Sequence, residues 1–252
     1  MEKGSERLRR VFHAELAAGV VELGRNQGHY VRDVLRLGTG NRVVLFDGAG
    51  HCALATLMSI QPIVLVEVHE VTNEVSSAMH LTVALAAPKG SRADWAVEKL
   101  TELGVENIVW LECARSVVKL DAGGAKVARH ARLAQAAARQ AGRSTVPEVL
   151  GPVSLAALSV GGEMIRLVAD PSASLAIQDV EIAPHAAIVL AIGPEGGFTA
   201  HELESLRAAD FLSVRLGPFV LRTETAAVAG TAQLACRSGF SPLPLPARPG
   251  AR

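Results

Sequence analysis

The chain has 252 residues, of which 49% are hydrophobic and 4% aromatic, and its 25 Lys and Arg balance 25 Asp and Glu; a chain this long and apolar buries a core unaided, which excludes a mainly disordered state. Cys52, Cys113 and Cys236 stand far apart with no C-x-x-C spacing, which excludes a zinc ribbon and points to a reducing compartment. The polar start MEKGSERLRR has no apolar segment behind it, and the longest apolar run, 186–192, is too short for a bilayer, so a cytoplasmic protein with no membrane span is expected.

From the N-terminus, Gln27–Leu37 puts Val31, Val34 and Leu35 on one helical face with Arg32 and Arg36 off it, closed by Gly38. Arg42–Asp47, a turn at 47–50, HCALATLMSI and PIVLVEVHE are β-branched runs divided by turn residues, so the first 72 residues read as a small β-rich domain. The polar stretch 71–80 is the linker candidate. Strand and helix then alternate: strands at 81–88, 107–112, 165–170, 186–193 and 213–217, and helices at about 94–103, 126–141, from Thr199, and 224–237. Such alternation predicts an α/β domain with a mostly parallel sheet over 73–242. The proline-rich residues 243–252 read as a flexible tail.

Zero net charge conceals blocks. Residues 1–46 carry 8 basic and 5 acidic side chains, 47–114 carry 3 and 9, 115–143 carry 7 and 1, and 144–252 carry 7 and 10. The 115–143 excess is of the kind that tracks a phosphate backbone. Within it, about 100° per residue places Arg129, Arg132, Arg139 and Arg143 in one quadrant, opposite Val127, Ala131, Ala134, Ala138 and Ala141. A solvated helix face is the plain alternative, but such faces usually intersperse Glu, and this one has none.

Two loops carry the remaining chemistry. Ile192-Gly193-Pro194-Glu195-Gly196-Gly197-Phe198 follows an apolar strand and precedes Thr199-x-x-Glu202, a capping box. A glycine-rich turn at a strand's carboxyl end exposes backbone N–H groups to a ligand, though a tight turn alone would also need glycine. It matches neither G-x-G-x-x-G nor a P-loop. Leu216 to Ala226 (LGPFVLRTETA) again joins strand to helix. Glu224 and Thr225 suit any helix start, whereas Arg222 opposes the macrodipole there and implies an anion nearby. The histidines show no H-x-H or H-E-x-x-H spacing, so no metal is expected.

Together, RRVFHAE (9–15), residues 28–48, KLTELGVENIVWLECARSVVKL (99–120), AARQAGR (137–143), IGPEGGF (192–198) and LGPFVLRTETA (216–226) resemble the RsmE family of small-subunit ribosomal RNA methyltransferases. The resemblance spans nearly the whole chain. It implies a PUA-like RNA-binding β-barrel over 1–72 and a SPOUT methyltransferase domain, knotted as a trefoil, over 73–242. It also implies a homodimer that transfers a methyl group from S-adenosylmethionine to N3 of a uridine in 16S ribosomal RNA. Carried over, the cofactor would lie on Ile192, Gly193, Glu195, Gly196, Gly197, Leu216, Gly217, Leu221, Thr223, Thr225 and Ala226, with Arg222, Glu224 and Arg143 as the catalytic set. RNA would meet Arg9, Arg10, Arg32, Arg36, Arg129, Arg132, Arg139 and Arg143. Phe219, where the family often has Arg, and Arg139 with Ala141 depart from its pattern. The alternatives are a SPOUT enzyme acting on a tRNA ribose 2′-oxygen and a non-catalytic RNA-binding assembly factor.

Overall fold

The computed structural model describes residues 8–74, 80–159, 163–183 and 185–237; the proline-rich tail and half of the polar stretch 71–80, residues 75–79, lie outside these. The described residues divide into two compact units, 8–74 with 138–146, and 80–137 with 147–237.

The first unit is a five-stranded sheet in the order β1-β3-β4-β5-β2, from β1 (Arg9–Phe12), β2 (Gly19–Glu22), β3 (Arg42–Phe46), β4 (His51–Ser59) and β5 (Leu65–Asn73). β1 runs parallel to β3 and the other pairs are antiparallel. The β3–β4 turn is held by the Asp47 carboxylate, which accepts hydrogen bonds from the backbone of Ala49 at 2.7 Å and His51 at 3.0 Å. Period-two alternation sends Val43, Leu45, Ala53, Ala55, Leu57, Val66 and Val68 into one core. The short β1 and β2 escape sequence reading because four residues carry too little periodicity.

Two expectations need correction here. The helix expected over 27–37 is α1 (Arg25–His29) followed by one π-helical turn, Tyr30–Val34, closed by a bond from the Leu35 N–H to the Tyr30 carbonyl. The wider turn rotates the chain so that Val31 is buried while Val34 is exposed. The linker candidate begins inside β5, whose residues 71–73 pair with 51–53 of β4.

The second unit is an all-parallel six-stranded sheet, ordered β11-β9-β10-β6-β7-β8. Its elements are β6 (His80–Ala86), α2 (Ser91–Glu102), β7 (Asn107–Glu112), α3 (Ala125–Ala141, whose last residues, from 138, belong to the first unit), β8 (Glu148–Ser154), β9 (Ile165–Ala169), β10 (Ala187–Ile192), α4 (Ala200–Ala208), β11 (Leu212–Val214) and α5 (Thr223–Ala235). β8 went unpredicted because Gly151-Pro152 reads as a turn; the pair is tolerated because β8 is an edge strand with a register shift there. The chain steps outward from β6 to β7 and β8, then returns to the other side of β6 for the remaining strands, so the order reverses between β6 and β10. Ligands of open α/β sheets bind at the carboxyl ends of the strands at such a reversal. α5, small and apolar, packs on β10 and β6 through Gly230, where an added Cβ would lie 2.6 Å from Leu190 Cδ2. No described helix is long and apolar enough to cross a membrane.

Candidate active site

A pocket opens at the carboxyl ends of β9, β10 and β11. Nine of the eleven residues expected around a cofactor line it: Ile192, Gly193, Glu195, Gly197, Leu216, Gly217, Leu221, Thr223 and Ala226. Gly196 and Thr225 do not. Gly196 turns toward Arg115, whose Nη1 donates to its carbonyl at 2.8 Å, and Thr225 is exposed on α5. The glycine whose space is needed is Gly193, where a Cβ would lie 3.0 Å from the Phe198 ring and 3.1 Å from its backbone nitrogen. Asp170 and Phe198 also line the pocket and were missed. The one available signal was Asp170, a polar residue ending the apolar run IRLVA.

Local bonds shape both loops. The turn closes by the Gly197 N–H to the Pro194 carbonyl at 2.8 Å, with Gly197 at φ +68, a conformation other residues rarely adopt. Thr199 caps α4 in a complete capping box with Glu202, whose carboxylate also accepts the Ala114 N–H at 2.7 Å. Burial pushes the Glu202 carboxyl up, but these N–H bonds outweigh it and hold the group below its ordinary value. The second loop is joined to the first through Thr223 Oγ1, which donates to the Gly193 carbonyl at 3.0 Å, and to α5 through Gln233 and the Leu216 carbonyl.

The expected catalytic residues fall in different settings. Arg222 is the exposed N-cap of α5. Glu224 is buried, with Oε1 4.0 Å from Arg92 Nη1, and its Oε2 has no hydrogen-bond partner among the described residues. Arg143 belongs to the first unit. It donates to Thr145 Oγ1 at 3.0 Å, and burial pulls its guanidinium down to about 10, still charged at neutral pH.

The expected arginine stripe is partly committed to the fold. Arg129 forms a two-pronged pair with Asp94 of α2, the closer bond 2.5 Å, so the acid absent from α3 is supplied by its neighbour. Arg139 stacks over Tyr30 at 3.9 Å. Arg10 is held by Ser144 and Glu74 and lies over Phe46. Burial pushes the Glu74 carboxyl up, yet its bond from Ser144 and the Arg10 charge bring it below the ordinary value. Arg32 pairs with Asp33 at 3.3 Å. Arg9, Arg36 and Arg132 are exposed.

Residues 75–235 match the family model of an RNA methyltransferase domain, and residues 23–66 that of an RNA methyltransferase PUA domain. This defines an RNA methyltransferase: the matches cover an RNA methyltransferase domain with a parallel α/β sheet and an RNA methyltransferase PUA domain. The chain is 33% identical over 212 residues to ribosomal RNA small subunit methyltransferase E of Bacillus subtilis, covering 79% of this chain and 82% of the relative. It is 32% identical to the protein of that name from Mycobacterium tuberculosis over 80% of each. The structure of the Neisseria gonorrhoeae enzyme bound to S-adenosyl methionine superposes with TM-score 0.84 at 30% identity, covering 91% of this chain and 98% of that one. A putative methyltransferase from Legionella pneumophila in complex with the same cofactor gives 0.85 at 31%, over 93% and 99%. The chain belongs to the ribosomal RNA small subunit methyltransferase E family.

Proposed function

We propose that this protein transfers the methyl group of S-adenosylmethionine to N3 of a uridine in 16S ribosomal RNA. The observation that carries this reading is the pocket at the carboxyl ends of β9, β10 and β11, walled by both family loops. The cradle fits such a cofactor: its walls are largely apolar, and Gly193, which lines it, packs too closely on Phe198 to carry a Cβ; the buried Glu224 Oε2, one residue beyond the lining Thr223, lacks a donor. Ile192, Gly193, Glu195, Gly197, Leu216, Gly217, Leu221, Thr223 and Ala226 would hold it. The bound cofactor supplies a methyl group on a sulfonium.

Uracil N3 is a poor nucleophile until it loses its proton, when charge spreads over O2, N3 and O4. Glu224 accepts that proton at its unpartnered oxygen. Arg222, an exposed planar fork between the lining residues Leu221 and Thr223, stabilises the imide anion. Arg143 contributes its charge to RNA binding within the first unit. The two loops contribute alignment, which needs rigidity rather than a metal. The reading includes a homodimer, a trefoil knot around the cofactor, a domain boundary near residue 72 and a cytoplasmic location with the small ribosomal subunit as partner.

Nucleoside mass spectrometry of 16S ribosomal RNA from a deletion strain tests the reading. Loss of 3-methyluridine, restored by the gene, is expected; loss of a ribose-methylated nucleoside instead would assign the ribose chemistry. Absence of cofactor binding in calorimetry would leave an RNA-binding assembly factor.

A further inference from the structure

Arg92, the second residue of α2, is a cation at a helix start, where the macrodipole opposes it. Its Nη1 lies 3.8 Å from Glu195 Oε1 and 4.0 Å from Glu224 Oε1. It therefore links three elements: the start of α2, the glycine turn after β10, and the first turn of α5. The two carboxylates differ. Glu195 is one-third exposed and lines the pocket, whereas the Glu224 side chain is 7% exposed. A carboxylate that deep is costly unless a cation faces it, and Arg92 is the cation paired with Glu224 among the described residues.

We propose that Arg92 is a positioning residue for methyl transfer, holding the Glu224 carboxyl group aimed while fastening the glycine turn through Glu195. The inference rests on Glu224 accepting the N3 proton, as proposed above. At 3.8 and 4.0 Å the contacts are those of a charge shared between two anions, not of a two-pronged fork, so an ammonium serves in its place. Arg92 is 40% exposed, so replacing it opens no cavity in the core, although it leaves the Glu224 carboxylate without its cation.

The test compares Arg92→Met, Arg92→Lys and Glu224→Gln in full-length protein, with single-turnover methylation of small-subunit RNA at saturating S-adenosylmethionine, calorimetric cofactor affinity and melting temperature. Arg92→Met is expected to lose about tenfold or more in single-turnover rate because the acceptor carboxylate is no longer aimed, with cofactor affinity changed less than threefold and a melting temperature lowered but well above the assay temperature. Arg92→Lys is expected to recover most of the rate. An Arg92→Met variant with wild-type rate, or one whose defect is confined to cofactor affinity, overturns the proposal. So does a lysine variant no better than methionine. Glu224→Gln separates the two layers: wild-type rate there removes Glu224 as proton acceptor, and Arg92 with it. Loss there beside a normal Arg92→Met removes Arg92 alone.

Discussion

Arg222 is the residue whose placement is hardest to explain without a ligand. It caps α5 without a capping hydrogen bond, and its charge faces the positive end of the helix. Arg222→Lys keeps the charge and loses the planar fork, so it is expected to lose rate. Arg222→Ala is expected to lose on the order of 2–4 kcal/mol of transition-state stabilisation, as for other preorganised anion donors, with cofactor affinity nearly unchanged. Calorimetry and single-turnover kinetics on both variants check this; a fall in affinity with rate preserved at saturation would place Arg222 on the cofactor carboxylate instead. The glycines separate in the same way. Gly193→Ala forces a Cβ against the Phe198 ring and backbone and is expected to weaken cofactor binding severely. Gly196→Ala meets only the flexible Arg115 stem at 3.4 Å and is expected to bind within a few-fold of wild type. The motif IGPEGG marked the turn, but which glycine needs its bareness depends on where the chain returns at Phe198.

At the scale of elements, α4 and α3 show how one neighbour redefines a helix. Glu202 was legible as half of a capping box, yet it also anchors Ala114 from the loop after β7. Glu202→Ala is therefore expected to cost about 1–2 kcal/mol, the upper range for loss of a cap, read as a lower melting temperature. α3 was read as an uninterrupted guanidinium face opposite a small apolar one; Val127, Ala134 and Ala138 are buried as the wheel puts them, but Ala131 is exposed and Ala141 only half-buried, so the buried stripe is narrower than expected. What the wheel could not show is Asp94 across from Arg129. For that reason Arg132→Ala is expected to flatten the salt dependence of RNA binding by roughly 0.7–0.9 per contact, and Arg129→Ala to act on the α2–α3 link as well. Equal slopes in Arg132→Ala and wild type would return that side chain to plain surface.

Across the whole molecule, two buried groups set the response to pH and to thiol reagents. Burial holds the His130 imidazole below its ordinary 6.5, although Asp94 pulls the other way, so the folded protein keeps it neutral. The unfolded chain takes up that proton first, and stability is expected to fall as pH drops below about 6.5. Asp94 adds to the loss at lower pH: the Arg129 hydrogen bond holds its carboxyl down, and that contribution disappears as pH falls through the lowered value. Melting temperatures between pH 7 and 5 should decline less in His130→Phe. Burial likewise pushes the Cys113 thiol up to about 12, so brief alkylation of the native protein is expected to label the exposed Cys236 and spare Cys52 and Cys113. What the sequence alone determined is whatever depends on neighbours along the chain: the alternation of strands and helices, the capping box, the two glycine and Arg-Thr-Glu loops, and the family they spell. Periodicity and local hydrogen bonding carry that information within about a dozen residues. The tertiary structure alone decided the strand order that brings β9, β10 and β11 to one rim, the pairing of Arg129 with Asp94, and the placing of Arg92 between Glu195 and Glu224. Those contacts join residues 35 to 132 positions apart, and no local pattern records which distant charge a side chain will meet.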